Sequence, residues 1–322
     1  MSAQPATLLT PRVLIAFAFV TLIWGSTWIV IKGQLGIVPP SWSVTYRFSV
    51  AAIAMFAFAA IRRERLLLEP RAMAFAALLG IAQFTFNFNF VYRAEQHITS
   101  GLVAVLFALL IVPNTLLGRL FLKSPLEKRF LAGAGIAIVG VGLMILHEYR
   151  AAALGAGEVL LGTALTLAGV MSASTANVMQ GTAIARAQSM AVMIAWAMLF
   201  GVLADGSYAW ITTGPPMIES TPTYLGGILY LGIVASAVTF PLYFNVIRAV
   251  GPGQAAWSSV LIPIIAMGFS TAFEDYRWAP LSIAGGFVAL VGLVIAVAKR
   301  PERPSVSGNM VSVPVEEEIT PR

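Results

Sequence analysis

Ten long apolar stretches constrain the fold of this chain more than any other feature of its sequence. A helix needs about 20 mostly apolar residues to cross the roughly 30 Å hydrocarbon core of a bilayer. Stretches of about this length, of which the seventh is the shortest, lie at 12–33, 40–61, 72–92, 98–121, 128–147, 158–180, 187–204, 223–246, 252–273 and 279–298. The sequence therefore predicts an all-α integral membrane protein with ten transmembrane helices.

The composition excludes a soluble globular domain. Hydrophobic residues make up 58% of the 322 residues, and charged residues make up only 11%. Soluble domains carry roughly 45–50% apolar and about 25% charged residues, because their surface needs polar cover. Helices that face lipid do not need that cover, so membrane-spanning segments explain the composition.

The stretch QFTFNFNFVYR at residues 83–93 alternates polar and aromatic residues, which is the period of a half-buried strand. A lone strand in hydrocarbon would leave its backbone groups unpaired at several kcal/mol each, so we interpret the stretch as the end of the third helix. On a helix, Gln83 and Asn87 share one face, whereas Asn89 lies with Thr85 and Tyr92 on another. The third helix is therefore expected to carry two polar stripes.

The basic residues predict the orientation of the chain. With the N-terminus in the cytoplasm, fifteen Lys and Arg fall at cytoplasmic ends and loops and four in outer loops, which is the positive-inside bias. We therefore expect a cell inner-membrane protein with both termini cytoplasmic. The net charge of +6 is attributed to these loops and not to a nucleic-acid partner. The chain has no cysteine, which excludes disulfides and thiolate metal sites, and we expect no cofactor or metal.

The two halves of the chain resemble each other. At an offset of 150 residues, Pro113 aligns with Pro263, and within GAGIAIVGVGLMI (133–145) and IAGGFVALVGLVI (283–295) Gly135 aligns with Gly285 and Gly142 with Gly292. At an offset of 148, Ser26 aligns with Ser174. Each half holds five predicted spans, an odd number, so the second half must enter the membrane from the opposite side. Two inverted five-helix repeats are typical of alternating-access transporters, with the site at the repeat interface.

These features divide the chain into five parts. The first span lacks an Ala-x-Ala cleavage pattern, so we expect it to be retained as a helix. The parts are a cytoplasmic N-terminus at 1–11, a first five-helix repeat at 12–147, an outer linker at 148–157, a second repeat at 158–298, and a disordered cytoplasmic tail at 299–322.

Several segments resemble the EamA-type transporters of the drug/metabolite superfamily over about residues 12–298. The segment LIWGSTWIVIKG at 22–33 is similar to their first helix, and Arg47 lies where their second helix often carries an arginine. The segments from Leu109 and from Tyr243 are similar to their fourth to fifth and eighth to ninth helices. The resemblance implies a carrier, nearest to the exporters of aromatic and other neutral amino acids. The family usually has Gly-Glu after the fourth and ninth helices, where this chain has Lys123-Ser124 and Phe273-Glu274.

The charged residues favour a substrate that is neutral overall. No Asp or Glu lies centrally in a predicted span, since Glu95, Glu158, Asp205 and Glu274 all fall at outer ends or loops. An intramembrane enzyme would require a base beside a nucleophile or paired carboxylates for a metal, and a carrier of multivalent cations would require a central carboxylate. Arg47 lies inside a span, where its stem can snorkel outward or its head can pair with helix carbonyls or with a substrate carboxylate.

Amides, hydroxyls and aromatic rings remain as candidate ligands. The substrate-binding candidates are Trp24, Ser26, Trp28, Gln83, Asn87, Tyr92, Ser174, Asn177, Tyr243, Trp257 and Ser258. Each could instead form a hydrogen bond between helices, which contributes about 0.6 kcal/mol to stability. Together they would form an aromatic pocket with a few oriented polar groups, suited to an amphipathic small molecule. The candidate hinges are Pro113, Pro241, Pro263 and Gly232, because proline and glycine interrupt or loosen a helix.

We therefore expect an exporter of small neutral or amphipathic metabolites, with an amino acid as the substrate, membrane lipid as its surroundings, and a monomer or weak dimer as its state. Two other classes stay open. A membrane-embedded enzyme acting on a lipid or isoprenoid would use a titratable cluster such as Arg93, Glu95 and His97. A passive structural or sensory bundle would move no solute.

Overall fold

The computed structural model describes residues 10–123, 126–151, 155–250 and 258–297, and within 244–250 it describes the side chain of Val246 alone. The predicted N-terminal segment and tail therefore lie almost entirely outside the described residues. Within the described ranges the chain is helical, with no strand.

In the described part of the chain, ten long helices, numbered α1 to α10 in chain order, form the fold, and a four-residue helix at Ala183–Arg186 connects α6 to α7. The ten helices are α1 (Pro11–Lys32), α2 (Pro40–Ile61), α3 (Pro70–Ala94), α4 (Ser100–Leu122), α5 (Lys128–Ala151), α6 (Ala156–Gln180), α7 (Met190–Thr213), α8 (Pro222–Leu229 continuing through Tyr230–Val238 and Thr239–Val250), α9 (Ser258–Phe273) and α10 (Pro280–Val297). Among the described residues, nine are long and apolar enough to cross a membrane, and α9 is a shorter apolar helix. The predicted all-helical membrane fold is confirmed.

The seventh span was predicted wrongly at its C-terminal end. The predicted segment 187–204 stops before Asp205, yet α7 continues to Thr213. Asp205 is only 1% exposed, because it accepts hydrogen bonds from Thr45 Oγ1 at 2.9 Å and from the Asn89 amide. A carboxylate with such partners can lie inside a helix bundle. Asp205, which was expected at an outer end or loop, therefore lies within α7.

The two halves pack with approximate twofold symmetry. Helix α2 packs on α7 and α5 packs on α10, so each of these helices meets its own counterpart from the other half. Likewise α1 packs on α8 and α9, just as α6 packs on α3 and α4. This exchange of equivalent contacts is what an internal duplication of five helices requires.

Glycines bring α5 and α10 into backbone contact. A Cβ added at Gly133 would lie 2.4 Å from the Ala296 nitrogen, and one at Gly140 would lie 2.2 Å from the Ala289 nitrogen. Gly285 and Gly292 face these two positions across the interface. Small residues allow such close packing of membrane helices.

The glycines Gly135 and Gly142 do not contribute to this interface, because no atom lies within 4 Å of a Cβ built on either. Gly140 packs against Gly285, and Gly133 packs against Gly292. The sequence comparison predicted the repeat but not which glycines of α5 face α10.

Two π-helical segments interrupt α3 and α8, at Ile81–Phe86 and Tyr230–Val238. Both regions were predicted to be helix, without this irregularity. A π turn displaces backbone carbonyls from their usual partners, and such segments are frequent at functional sites. Thr239 Oγ1 donates to the Val234 carbonyl at 2.6 Å, with a spacing of five residues that follows the wider turn.

A backbone carbonyl of each π segment accepts a side-chain hydrogen bond from the other half of the molecule. Trp24 Nε1 donates to the Ala235 carbonyl at 3.1 Å, and Ser172 Oγ donates to the Ala82 carbonyl at 2.8 Å. Trp24 and Ser172 stand 148 residues apart, the offset that also aligns Ser26 with Ser174. Side chains at equivalent positions of the two repeats therefore hydrogen-bond to the two π segments.

Candidate functional site

A cavity of about 500 Å³ lies between helices of the two halves. Its wall is formed by α1, α2, α3, α4, α6, α8 and α9. The π segments border it, since Gln83 and Ala235 both belong to its lining. This volume is within the range of roughly 300–1,000 Å³ of small-molecule sites.

The cavity is closed at one end and open at the other. At the closed end, Ile31, Arg47 and Val91 are each 2% exposed. At the open end, the lining continues along α4 and α6 to Leu122 and to the exposed Asn177. We call these the closed end and the open end.

Arg47 places a positive charge in the wall of the cavity. Its guanidinium lies 4.4 Å from the Phe88 ring centroid and 5.1 Å from that of Phe48. Nε and Nη2 donate to Ser236 Oγ at 3.4 and 3.3 Å, but Nη1 is buried without a partner. Within the described residues no carboxylate forms an ion pair with Arg47. A buried charge of this kind is costly unless a partner arrives.

Among the described residues, three other lining side chains carry buried polar atoms that have no hydrogen-bond partner. Trp28 Nε1 is an unpaired donor, and Gln83 Oε1 and Asn87 Oδ1 are unpaired acceptors. Gln83 and Asn87 lie on the same face of α3, as predicted. With Arg47 Nη1, the cavity wall holds two free donors and two free acceptors, and buried polar atoms normally have partners.

Aromatic rings form the remaining wall. Trp28 and Phe107 have ring centroids 5.3 Å apart, and Trp24 lies 4.9 Å from Tyr243 and 5.5 Å from Phe240. All five residues line the cavity. Such tilted arrangements are the favourable geometry for aromatic groups, and an aromatic ligand could join them.

Seven of the predicted binding residues line this cavity. They are Trp24, Trp28, Gln83, Asn87, Asn177, Tyr243 and Ser258. The predicted Trp257 lies outside the described residues. Sequence reasoning missed Phe107, Asn114 and Gln180, although Asn114 follows a proline that was singled out. Asn114 and Asn177 are joined by a hydrogen bond of 3.3 Å near the open end.

The structure places the other three predicted residues away from the cavity wall. Tyr92 is fully buried and donates to Gln34 Oε1 at 3.0 Å. Ser174 is fully buried, and its Oγ has no partner. Ser26 pairs with the Tyr230 hydroxyl at 2.6 Å and borders a second groove instead.

This second groove, also of about 500 Å³, lies at the closed end between α1, α8 and α9. Its lining is mostly apolar and includes Ile29, Gly227 and Phe273. Gln34 borders it too, with its Nε2 buried and unpaired. The second groove and the cavity are separate in this conformation.

The four hinge candidates lie at irregular points of the helices. Pro263 lines the cavity inside α9, and Pro113 follows a 3-10 turn at Ala108–Leu110. Gly232 lies in the π segment of α8, and Pro241 comes three residues after that segment ends. A Cβ at Gly232 would lie 2.8 Å from the Arg47 carbonyl, so close packing on α2 also explains this glycine.

The second polar stripe of α3 connects helices. Asn89 donates to the Thr85 carbonyl at 3.0 Å and to Asp205, and accepts from Ser41 Oγ at 2.8 Å. Arg93 donates to Ser41 Oγ and to the Tyr208 hydroxyl, each at 3.3 Å. These contacts hold α2, α3 and α7 together beside the cavity.

The residues considered for an intramembrane enzyme do not form one site. His97 Nδ1 contacts the Glu158 carboxylate at the start of α6. Glu95 is fully buried, and neither of its carboxylate oxygens has a hydrogen-bond partner. Arg93 contacts α2 and α7 as described above.

Known proteins resemble the chain over most of its length. Residues 11–146 and 160–298 both match the family model described as "EamA-like transporter family". PagO from Salmonella typhimurium is 25% identical, over 88% of this chain and 90% of that protein. A "Probable amino-acid metabolite efflux pump" from Escherichia coli K12 is 24% identical, over 86% and 92%.

Two further comparisons agree. The "Uncharacterized inner membrane transporter YedA" from Escherichia coli K12 is 27% identical, over 84% of this chain and 88% of that protein. A solved crystal structure superposes with a TM-score of 0.64 at 19% identity, over 88% of this chain and 95% of the other. The latter shows a shared fold.

Proposed function

The chain belongs to the EamA-like transporter family, and from this premise we propose that it exports small amphipathic solutes that carry both a carboxylate and an ammonium group. Amino acids, including aromatic ones, are the substrate class. The nine long apolar helices found among the described residues support an integral membrane protein. Its relative YedA is named an inner membrane transporter, and a second relative is named an amino-acid metabolite efflux pump, which supports both the location and the class.

The observation that carries this proposal is the set of four unpaired polar atoms in the cavity wall. Arg47 Nη1 and Trp28 Nε1 are donors, which a substrate carboxylate would accept from. Gln83 Oε1 and Asn87 Oδ1 are acceptors, which an α-ammonium group would donate to. A zwitterion therefore supplies partners of the kind that each of the four atoms lacks.

The rest of the cavity suits an apolar or aromatic side chain. The Trp28–Phe107 pair and the Trp24–Tyr243 pair offer ring faces and edges. The volume of about 500 Å³ leaves room for a large amino acid with some water. The substrate would then be neutral overall, as the sequence suggested, while its carboxylate offsets the buried charge of Arg47 in the wall.

Transport would proceed by alternating access between the two repeats. The positive-inside distribution supports a cytoplasmic location for the open end and for both termini. Solute would enter the cavity there, and rearrangement of α1, α4, α6 and α9 would close the open end and open the closed end. In a protein with inverted repeats, the inward-open and outward-open conformations arise when one repeat moves against the other.

A test in proteoliposomes compares solutes that differ in one group. Radiolabelled phenylalanine, its carboxamide, and phenethylamine would each be measured in counterflow by the purified protein. We expect exchange of phenylalanine and little exchange of the two compounds without a carboxylate. Arg47→Gln should weaken phenylalanine binding roughly 10- to 150-fold, the worth of a hydrogen bond to a charged group, and should erase the preference for the carboxylate.

Arg93→Gln is the matched control, since Arg93 lies on α3 but contacts Ser41 and Tyr208 outside the cavity. It should keep the carboxylate preference. Counterflow that is flat for all amino acids would reject the substrate class. Equal affinity of the parent and Arg47→Gln for phenylalanine would reject the role of Arg47.

A further inference from the structure

Glu95 is a buried carboxyl group with no partner, at the closed end. It follows α3 directly and is 0% exposed. Neither Oε1 nor Oε2 has a hydrogen-bond partner among the described residues. A buried carboxylate without hydrogen bonds costs several kcal/mol relative to water, whereas the neutral acid costs far less.

Within the described ranges, no cationic side chain forms an ion pair or a hydrogen bond with the Glu95 carboxylate. Lys32 on α1 donates its ammonium protons to the carbonyls of Glu95 and Ile98, the latter at 3.4 Å, and not to the carboxylate. Arg47 on α2 is directed to Ser236 and Phe88. Within the described ranges Glu95 forms no ion pair within 4.0 Å.

The other titratable groups facing Glu95 come from α3 and from the segment after α9. Tyr92 donates its hydroxyl proton to Gln34. Glu274 accepts from the Ser100 backbone nitrogen at 3.1 Å and also from Ser100 Oγ. Burial raises the pKa of Glu95 well above its usual value of 4.5, Lys32 and Arg47 lower it in part, and Glu274 raises it.

We propose that Glu95 is a proton-binding site at the closed end, protonated while this end is shut and ionised when it opens. On opening, water reaches the turn after α3, and the carboxyl group releases its proton to water on that side. On closing, the carboxylate takes one proton from the same side and is buried as the neutral acid. Each opening and closing of this end therefore exchanges one proton.

The sign of the pH dependence follows from this linkage. The closed conformation binds the proton more tightly, so acid on that side favours closure. As the pH rises from the ordinary carboxyl value of 4.5 through the raised pKa of the closed form, closure loses its advantage and the end opens. One linked proton changes the ratio of the two conformations by at most about tenfold per pH unit.

A labelling experiment tests this without any substrate. The chain has no native cysteine, so Ile98→Cys alone reports on the closed end, where Ile98 is 6% exposed. The rate of its reaction with a membrane-impermeant thiol reagent would be measured between about pH 5 and 9. Ile218→Cys, at a position 59% exposed in the loop before α8, corrects for the ionisation of the thiol itself.

We expect the corrected rate of Ile98→Cys to rise with pH in the parent and to stay low and flat with Glu95→Gln, which mimics the protonated form. Glu95→Asp keeps a carboxyl group and should keep a pH dependence, as should Glu158→Gln, whose carboxylate is half exposed and contacts His97. Thermal unfolding in detergent verifies that each variant is folded.

An unchanged pH profile in Glu95→Gln would overturn the proposal, and so would a parental rate that falls as the pH rises. If Glu95→Gln does not fold, the Glu95→Asp profile decides: a midpoint identical to that of the parent overturns the assignment. The inference rests on alternating access and not on the substrate class. Its failure would leave the counterflow result untouched, and failure of counterflow would leave the labelling result untouched.

Discussion

At the scale of single residues, two asparagines two positions apart on α3 have different surroundings. Asn87 lines the cavity, and its Oδ1 has no partner. Asn89 is bonded to Asp205, Ser41 and the Thr85 carbonyl. One amide is therefore available to a ligand, and the other is engaged in holding helices together.

This contrast predicts opposite effects for the same substitution. Asn87→Ala should weaken substrate binding about tenfold with little change in stability, since it removes a group without protein partners at Oδ1. Asn89→Ala should leave affinity nearly unchanged and lower the free energy of unfolding by about 1–3 kcal/mol, because Asp205 loses a buried donor. Counterflow affinities and thermal unfolding of both variants check this. A lower affinity in Asn89→Ala alone would contradict it.

The sequence predicted the separate faces of these amides but not what they contact. Helical periodicity places Gln83 and Asn87 together and Asn89 elsewhere, and the structure agrees. The partners of Asp205 are Thr45 and Asn89, which are 160 and 116 residues away along the chain. A local sequence pattern cannot reveal such pairs, so Asp205 was predicted to lie at the outer end of a helix. The burial of Glu95 could not be predicted for the same reason.

At the scale of helices, the α5–α10 contact depends on which glycines face it. Gly140→Ala places a methyl group 2.2 Å from the Ala289 nitrogen, whereas Gly142→Ala meets nothing within 4 Å. We expect Gly140→Ala to destabilise the protein by about 1–3 kcal/mol through overpacking. Gly142→Ala should be neutral or stabilising by up to about 1 kcal/mol, because alanine favours helix. Equal melting temperatures of the two variants would contradict this packing.

The helical elements were largely predictable, whereas their contacts and irregularities were not. Length and apolarity were sufficient to identify the spans, because a bilayer demands both. Which glycines of α5 face α10 could not be predicted, since the glycines of this helix all lie among similar apolar residues. The π segments had no visible signal, and their supports, Trp24 and Ser172, lie in the other half of the molecule.

At the scale of the whole molecule, the two repeats predict reciprocal exposure. Asn177 on α6 borders the open end, and Ile29 on α1, its counterpart at the 148-residue offset, borders the second groove. A ligand or substitution that raises the thiol reactivity of Ile29→Cys should lower that of Asn177→Cys. Labelling of both variants, with and without saturating substrate and in the Glu95→Gln background, measures the relation. Reactivities that rise together would contradict a rocking bundle.

The second groove then acquires a meaning of its own. Helices α1 and α9, which border it, are the counterparts of α6 and α4, which border the mouth of the cavity. By this symmetry, the second groove beside Ser26 and Phe273 would be the closed exit path of the substrate. Because glycines line this groove, a small separation of α1 from α9 would open it to the outer side. A bulky side chain at Gly227 would therefore block release of the substrate without blocking its binding from the cytoplasmic side.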